Sequence, residues 1–267
     1  KMNKININNT DLYVSKLSFG TASIHHKFDK KSRNNILAKA CDLGITHFDT
    51  ARLYGHGLAE RTLGNYFNGA KREKVTIATK FGIHENPIYE SFPFLMYANK
   101  IKNKLLSSNK VEPFIRDLNI NKIETSLQKS LKSLNSSWID ILYLHEPQLN
   151  EIKNLDEIIS WLEKKKKNGD IRYFGVAGYV ESAILIEKKY PKIFDIFQIE
   201  DSLENKQINK LEEINKSAQF SFGYIRNNSK KYTPKEILDL AVNQNKDGSI
   251  IVSTNKIEHM NLYSSYL

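Results

Sequence analysis

Residues 139–176 open on Ile139-Asp140-Ile141-Leu142-Tyr143-Leu144, continue through a helical stretch from about Asn154 to Asn168-Gly169, and return to Tyr173-Phe174-Gly175-Val176. A short apolar run, a longer segment of helical period ending on a C-cap glycine, and a second apolar run read as a strand–helix–strand unit with parallel strands. The unit repeats outward in both directions. Toward the N-terminus lie Val75-Thr76-Ile77-Ala78, a helix over roughly Leu58 to Phe67, Thr46-His47-Phe48, a helix from near Asp29 to before Gly44, and Leu17-Ser18-Phe19. Toward the C-terminus lie Ile193 to Ile199, Ala218 to Phe222, Ser249 to Val252 and a last helix. A further helix opens at Thr233-Pro234, with Thr as N-cap and Pro at the first helical position. Ahead of them all, Ile5-Asn6-Ile7 and Leu12-Tyr13-Val14 are joined through Asn8-Asn9-Thr10-Asp11 as a hairpin.

Eight such strands alternating with eight helices predict an α/β fold, a closed (β/α)8 TIM barrel with an N-terminal β-hairpin. The 267 residues suit one barrel, and no linker or composition break divides them, so residues 1–267 are read as one domain. One segment interrupts the pattern. From Phe81 to about Arg116 a long loop follows strand three, carrying Tyr89, Phe92, Phe94, Tyr97 and Phe114. It is too apolar for a plain linker, and loops of this length are usually functional or hold a short helix.

Composition excludes several classes. No run approaches the ~20 apolar residues of a membrane helix, and Lys1-Met2-Asn3-Lys4 does not lead into an apolar signal core. The single cysteine, Cys41, rules out an internal disulfide framework and fits a reducing compartment, with the cytoplasm as the expectation. A formal charge of +10 suits an anionic partner such as a phosphorylated cofactor, but it also suits a chain rich in lysine throughout. Lys164-Lys165-Lys166-Lys167 falls at a helix end, where cations are at home. No basic–aromatic nucleic-acid signature stands out.

Chemistry in a barrel of this type gathers where strands end. Asp49 follows strand two in His47-Phe48-Asp49-Thr50-Ala51, and Tyr54 lies in the next loop in Leu53-Tyr54-Gly55. Lys80 closes strand three, and His145 closes strand four in Leu144-His145-Glu146-Pro147. Singly, each has a bland reading: a packing tyrosine, a solvated lysine, a satisfied structural histidine. Together, at three neighbouring strand ends, they form a site. Reducing a carbonyl needs hydride at carbon and a proton for the developing alkoxide. A tyrosine of pKa ~10 is a poor acid. Lys80 beside Tyr54 is expected to lower that pKa, Asp49 to hold Lys80 charged, and His145 to steer the carbonyl oxygen.

At these residues the chain resembles the aldo-keto reductase superfamily over nearly its whole length. Phe19-Gly20-Thr21, Glu60 and Gly64 of helix two, and Leu144-His145 add to the likeness. The resemblance implies a nicotinamide cofactor, usually NADPH, bound without a glycine-rich loop. It makes Tyr54 the acid, tuned by Lys80 and Asp49, with His145 orienting the substrate. It places Gly20, Thr21, Asp49, Gln198, Phe222, Ser253, Thr254, Lys256 and His259 at the cofactor, the last four where the family grips the adenosine 2′-phosphate. Family members commonly carry a Ser-Asn pair after strand five for the carboxamide; Gly175-Val176-Ala177-Gly178-Tyr179 lacks both side chains. A similar glycine-containing turn occurs in the branch resembling sugar dehydrogenases. Phe222-Gly223-Tyr224 replaces the family's usual run after strand seven, where an aromatic ring either stacks on the nicotinamide or packs the mouth. With the sequence ending at Leu267, the pocket is expected to be open and to suit a polar substrate such as a sugar.

Three functions compete: an NADPH-dependent reductase of small carbonyl or sugar substrates, a non-catalytic or regulatory protein on the same fold with weakened cofactor binding, and a metal-dependent lyase or isomerase using His25, His26, Asp49 and His145. No familiar metal-ligand motif supports the last.

Overall fold

The computed structural model describes residues 4–105, 114–152 and 155–267. In chain order, the antiparallel hairpin β1 (Lys4–Asn6) and β2 (Tyr13–Ser15) leads into β3 (Leu17–Gly20), α1 (Lys30–Asp42), β4 (His47–Asp49), α2 (Leu58–Tyr66) and β5 (Thr76–Phe81). The insertion holds β6 (Ile83–His84), α3 (Pro87–Ser91), α4 (Pro93–Leu105) and β7 (Ile115–Arg116). Then come α5 (Ile120–Leu134), β8 (Ile139–His145), α6 (Asp156–Asn168), β9 (Ile171–Gly178), α7 (Val180–Lys189) and β10 (Ile196–Glu200). The remainder is α8 (Asn209–Glu212), β11 (Phe220–Phe222), α9 (Tyr224–Asn228), α10 (Pro234–Gln244), β12 (Ser249–Val252) and α11 (Ile257–Met260).

Strands β3, β4, β5, β8, β9, β10, β11 and β12 close into a parallel barrel, the last pairing with the first through Ile250↔Leu17 and Val252↔Phe19. This is the expected (β/α)8 architecture, with the expected hairpin. The hairpin strands sit about one residue from their expected places, and the Ile7 N–H continues their register by donating to the Leu12 carbonyl across the turn. Both side chains plug the bottom of the barrel with Val14.

Two apolar layers follow from strand alternation. Ala78, Ile141, Tyr143, Ala177, Ile196 and Phe220 fill the barrel interior above the hairpin plug. The outward residues, among them Phe48, Ile77, Leu142 and Val176, pack against the helices. Helix α5 buries Ile123, Leu127 and Leu134 at helical spacing, each worth about 1.5–3 kcal/mol out of water. Its small Ser126 and Ser130 share that buried face. Gly64 lets α2 press onto the end of α5, since a β-carbon there would lie 2.2 Å from the Ser133 carbonyl oxygen.

Thr233 caps α10 in a reciprocal box with Glu236, and Pro234 opens the helix as expected. Gly169 closes α6 at φ 81°. The expected start of α6 near Asn154 lies outside the described residues, as do Lys1, Met2 and Asn3 and positions 106–113 of the insertion. No described helix is long and apolar enough to cross a membrane.

Candidate active site

Register brings the site together. Parallel pairing sets Asp49 beside Ala78, Lys80 beside Tyr143, and His145 beside Ala177. Inward positions on β4, β5 and β8 therefore meet at one rim sector. Lys80 is 2% exposed, and its Nζ donates to both Asp49 oxygens at 2.7 Å, to the Thr50 carbonyl at 2.9 Å and to the Tyr54 hydroxyl at 3.4 Å. Gln198 Nε2 donates to Asp49 Oδ1 at 2.7 Å. The Tyr54 and His145 rings stand edge to face with centroids 6.2 Å apart. The four expected catalytic residues are thus neighbours, joined by Gln198.

Burial sets the proton affinities. It alone would depress the Lys80 ammonium, but Asp49 and Tyr54 outweigh it, and Lys80 is held above its ordinary value. Burial drives the His145 imidazole well below its usual range, with Lys80 and Arg116 adding to the effect, so the ring is neutral at pH 7. Its Nδ1 is buried with no hydrogen-bond partner among the described residues. Tyr54 corrects one expectation. Lys80 does pull its pKa down, but burial is the larger influence and Asp49 adds to it, leaving the phenol above its ordinary value.

The cofactor-side residues divide. Gly20 closes against Ile251, where a β-carbon would meet Cγ2 at 2.9 Å. The Thr21 hydroxyl is committed to the Asp49 carbonyl at 3.0 Å, leaving its side chain a tie between β3 and β4. Ser253 is exposed, sharing a 3.0 Å hydrogen bond with Ser23; Thr254 is buried and lies 3.3 Å from His259 Nδ1. Lys256 and His259 are both exposed at the start of the final helical segment. A lysine, a histidine and two hydroxyls grouped beyond β12 are a set of hydrogen-bonding groups that fits a phosphate. Phe222 is half-buried, whereas Tyr224 is 2% exposed and donates to Asp201 Oδ2 at 2.7 Å, so Tyr224 is a packing residue. The His25 and His26 rings meet edge to face with centroids 4.4 Å apart, and among the described residues no group of three or more His, Cys, Asp or Glu is placed to hold a metal.

Sequence reading missed the charges that hold the Tyr54 loop. Arg52 is wholly buried; it donates to Glu60 Oε2 at 2.6 Å and reaches Glu85 at 3.1 Å, Glu90 and Ser133. Lys129 joins Glu85 and Glu90, each at 2.7 Å. The network ties the loop to α2, the insertion and α5. Arg116, from β7, fixes the turn after His145 by donating to the Glu146 carbonyl at 2.6 Å and pairing with Glu151. These partners lie 8 to 81 residues apart in sequence, so no local spacing signals them.

Known proteins resemble this chain in sequence and in fold. The family model described as "Aldo/keto reductase family" matches residues 16–218. An uncharacterised oxidoreductase of Bacillus subtilis is 31% identical over 176 residues, covering 64% of this chain and 47% of that protein. D-threo-aldose 1-dehydrogenase of a Pseudomonas species is 28% identical over 180 residues, 65% of this chain and 53% of the other. L-Galactose dehydrogenase of Arabidopsis thaliana is 27% identical over 178 residues, 64% and 47% respectively. The chain therefore spans about half the length of these curated relatives. In fold, a Bacillus halodurans aldo-keto reductase solved in its holo form superposes with TM-score 0.77 at 20% identity, covering 100% of this chain and 92% of that one.

Proposed function

The chain belongs to the aldo/keto reductase family, and on that premise we propose that it is an NADPH-dependent oxidoreductase reducing an aldehyde, ketone or sugar carbonyl to an alcohol. The observation that carries this reading is the junction at Lys80, whose ammonium bridges the Asp49 carboxylate and the Tyr54 hydroxyl. Nicotinamide, when bound, supplies hydride to the carbonyl carbon. The chain's own residues manage the proton. Burial keeps the Tyr54 phenol protonated until it is needed, and Lys80 stabilises the phenolate left after transfer. Asp49 keeps Lys80 charged and aimed. His145, neutral and edge-on to Tyr54, has one N–H to offer the carbonyl oxygen as negative charge develops there.

Gly20, Thr21, Asp49, Gln198, Phe222, Ser253, Thr254, Lys256 and His259 are the residues that would hold the cofactor, the last four at its 2′-phosphate. We read residues 1–267 as one barrel domain acting on a small-molecule carbonyl in the cytoplasm, without nucleic acid or membrane. Two of the relatives are named for sugar dehydrogenation, which supports the inclusion of sugars.

One observation favours a second reading. The end of β9 offers Ala177 and Gly178 where polar side chains would serve a carboxamide, and the Gln198 amide is already engaged with Asp49. Two lost hydrogen bonds at about 1 kcal/mol each weaken binding several- to tens-of-fold, which suits a regulatory protein. Fluorescence titration with NADPH and NADH, followed by turnover on a carbonyl panel, separates the two. Micromolar NADPH binding with turnover supports the reductase; tight binding without turnover, or no binding, supports the alternative.

A further inference from the structure

Glu146 follows His145 directly, and its backbone is held in the left-handed region at φ 45°. That conformation is costly for a residue with a side chain and persists only where its surroundings enforce it. Here three contacts do so. Glu146 N–H donates to the Ala177 carbonyl at 2.7 Å, and its own carbonyl accepts from Arg116 at 2.6 Å and from Gln148 at 3.2 Å. The side chain then runs over Gly178. A β-carbon at Gly178 would lie 3.0 Å from Glu146 Cα and 3.1 Å from its Cγ, so the bare glycine that ends β9 is what gives this side chain its course.

The carboxylate at its end is half-buried and has no hydrogen-bond or ion-pair partner among the described residues. Its acidic neighbours differ. Asp49 is bound by Lys80 and Gln198, Glu200 by Arg226 and Asn227, and Glu151 by Arg116. Burial raises the Glu146 carboxyl above its ordinary range; Arg116, Lys80 and Arg226 oppose the rise and Glu200 adds to it. The charge of Glu146 is felt at the Tyr54 hydroxyl and at the exposed Tyr179 ring. Glu146 directly follows His145, whose ring stands edge to face with Tyr54, and its N–H is tied to the Ala177 carbonyl, so it sits on the strand-end rim where a carbonyl would meet Tyr54. A second polar group there is unpartnered: His145 Nδ1, in a side chain 5% exposed.

We propose that Glu146 is the specificity-determining residue of this site, its carboxylate accepting hydrogen bonds from hydroxyl groups on the carbons next to the reacting carbonyl. The substrate it selects is a polyhydroxylated aldehyde or ketone rather than an unsubstituted one. An ionised carboxylate accepts and cannot donate, so it rewards hydroxyls and penalises an apolar chain that leaves it dehydrated and unpaired. Tyr179, directly after the Gly178 that the Glu146 side chain crosses, adds an exposed aromatic face suited to the C–H face of a sugar-like chain. The proposal rests on the carbonyl-reductase reading above and adds to it the chemistry of the substrate.

The test is a matched pair of substrates, glyceraldehyde and propanal, which differ only in hydroxyls. Steady-state kinetics are taken for the parent, Glu146→Gln and Glu146→Ala, with NADPH affinity of each protein from fluorescence titration. The parent is expected to prefer glyceraldehyde. Glu146→Ala should lower kcat/KM for glyceraldehyde by about tenfold to a hundredfold, the range for one hydrogen bond to a charged group. NADPH affinity should stay within about twofold, and propanal turnover should hold or rise as the penalty on an apolar chain is lifted. Glu146→Gln keeps the shape and a neutral acceptor, and should fall between. Equal losses on both aldehydes, or a parent with no preference that the variants leave unchanged, overturn the proposal. A fall in NADPH affinity with the aldehyde ratio unchanged assigns the carboxylate to the cofactor and also overturns it. Absence of turnover on either aldehyde by cofactor-bound parent contradicts the reductase reading itself, and this proposal with it.

Discussion

Lys256 and His259 carry a prediction that belongs to single residues. If they face a 2′-phosphate, Lys256→Ala should weaken NADPH binding by about tenfold while leaving NADH unchanged, a charge-assisted contact being worth 1.5–3 kcal/mol at most. Parallel titrations with both cofactors check this, and equal losses would place Lys256 elsewhere. His145 carries another. Because burial holds its pKa well below 6.5, the imidazole does not titrate between pH 6 and 8. The kcat/KM profile should show no histidine limb there; an inflection near pH 6.5 that vanishes in His145→Gln would contradict the site geometry. At this scale the grouping of Asp49, Tyr54, Lys80 and His145 was legible, since Asp49, Lys80 and His145 each end an apolar run and Tyr54 lies one loop away. The net pKa of Tyr54 was not legible, because the sequence names the neighbouring ammonium but not how deeply the phenol is buried.

Between elements, buried charge holds the barrel mouth in place. Glu60 on α2 accepts from Arg52, Thr79 and Ser130, and neither Arg52 nor Glu60 is exposed. Glu60→Ala should cost about 3–5 kcal/mol in urea unfolding, since it takes one carboxylate from a buried guanidinium and the shared acceptor from buried Thr79 and Ser130. Glu181→Ala, which breaks the solvent-facing pair with Lys210, should stay within about 1 kcal/mol. Equal small effects would mean that Glu85 and Glu90 alone satisfy Arg52. Strand and helix order could be read from periodicity, down to the Thr233-Pro234 opening and the Gly169 stop. The insertion could not. Its β6–β7 ladder pairs Ile83 with Arg116 across more than thirty positions, and pairing at that range leaves no periodic trace.

For the whole molecule, the barrel interior sets an acid limit. His47 is wholly buried, stacks on Phe220 at 4.4 Å and hydrogen-bonds Thr76 through Nδ1. Burial lowers its pKa from 6.5 to about 4, against the pull of Asp49 and Asp140. Between those values the unfolded chain takes up a proton that the folded chain does not, so stability falls as pH drops from about 6.5 to about 4, by at most about 3 kcal/mol. Glu85, held down to about 2 by Arg52 and Lys129 against the effect of burial, adds its own loss below pH 4.5. Melting temperatures from pH 7 to pH 4.5 should fall in the parent and fall less steeply in His47→Gln. The account as a whole turns on proton transfer from Tyr54, and single-turnover oxidation of bound NADPH by an aldehyde tests it most directly. Tyr54→Phe should bind NADPH like the parent and lose about 10²- to 10⁴-fold in rate. A Tyr54→Phe protein that turns over at the parent rate would contradict it.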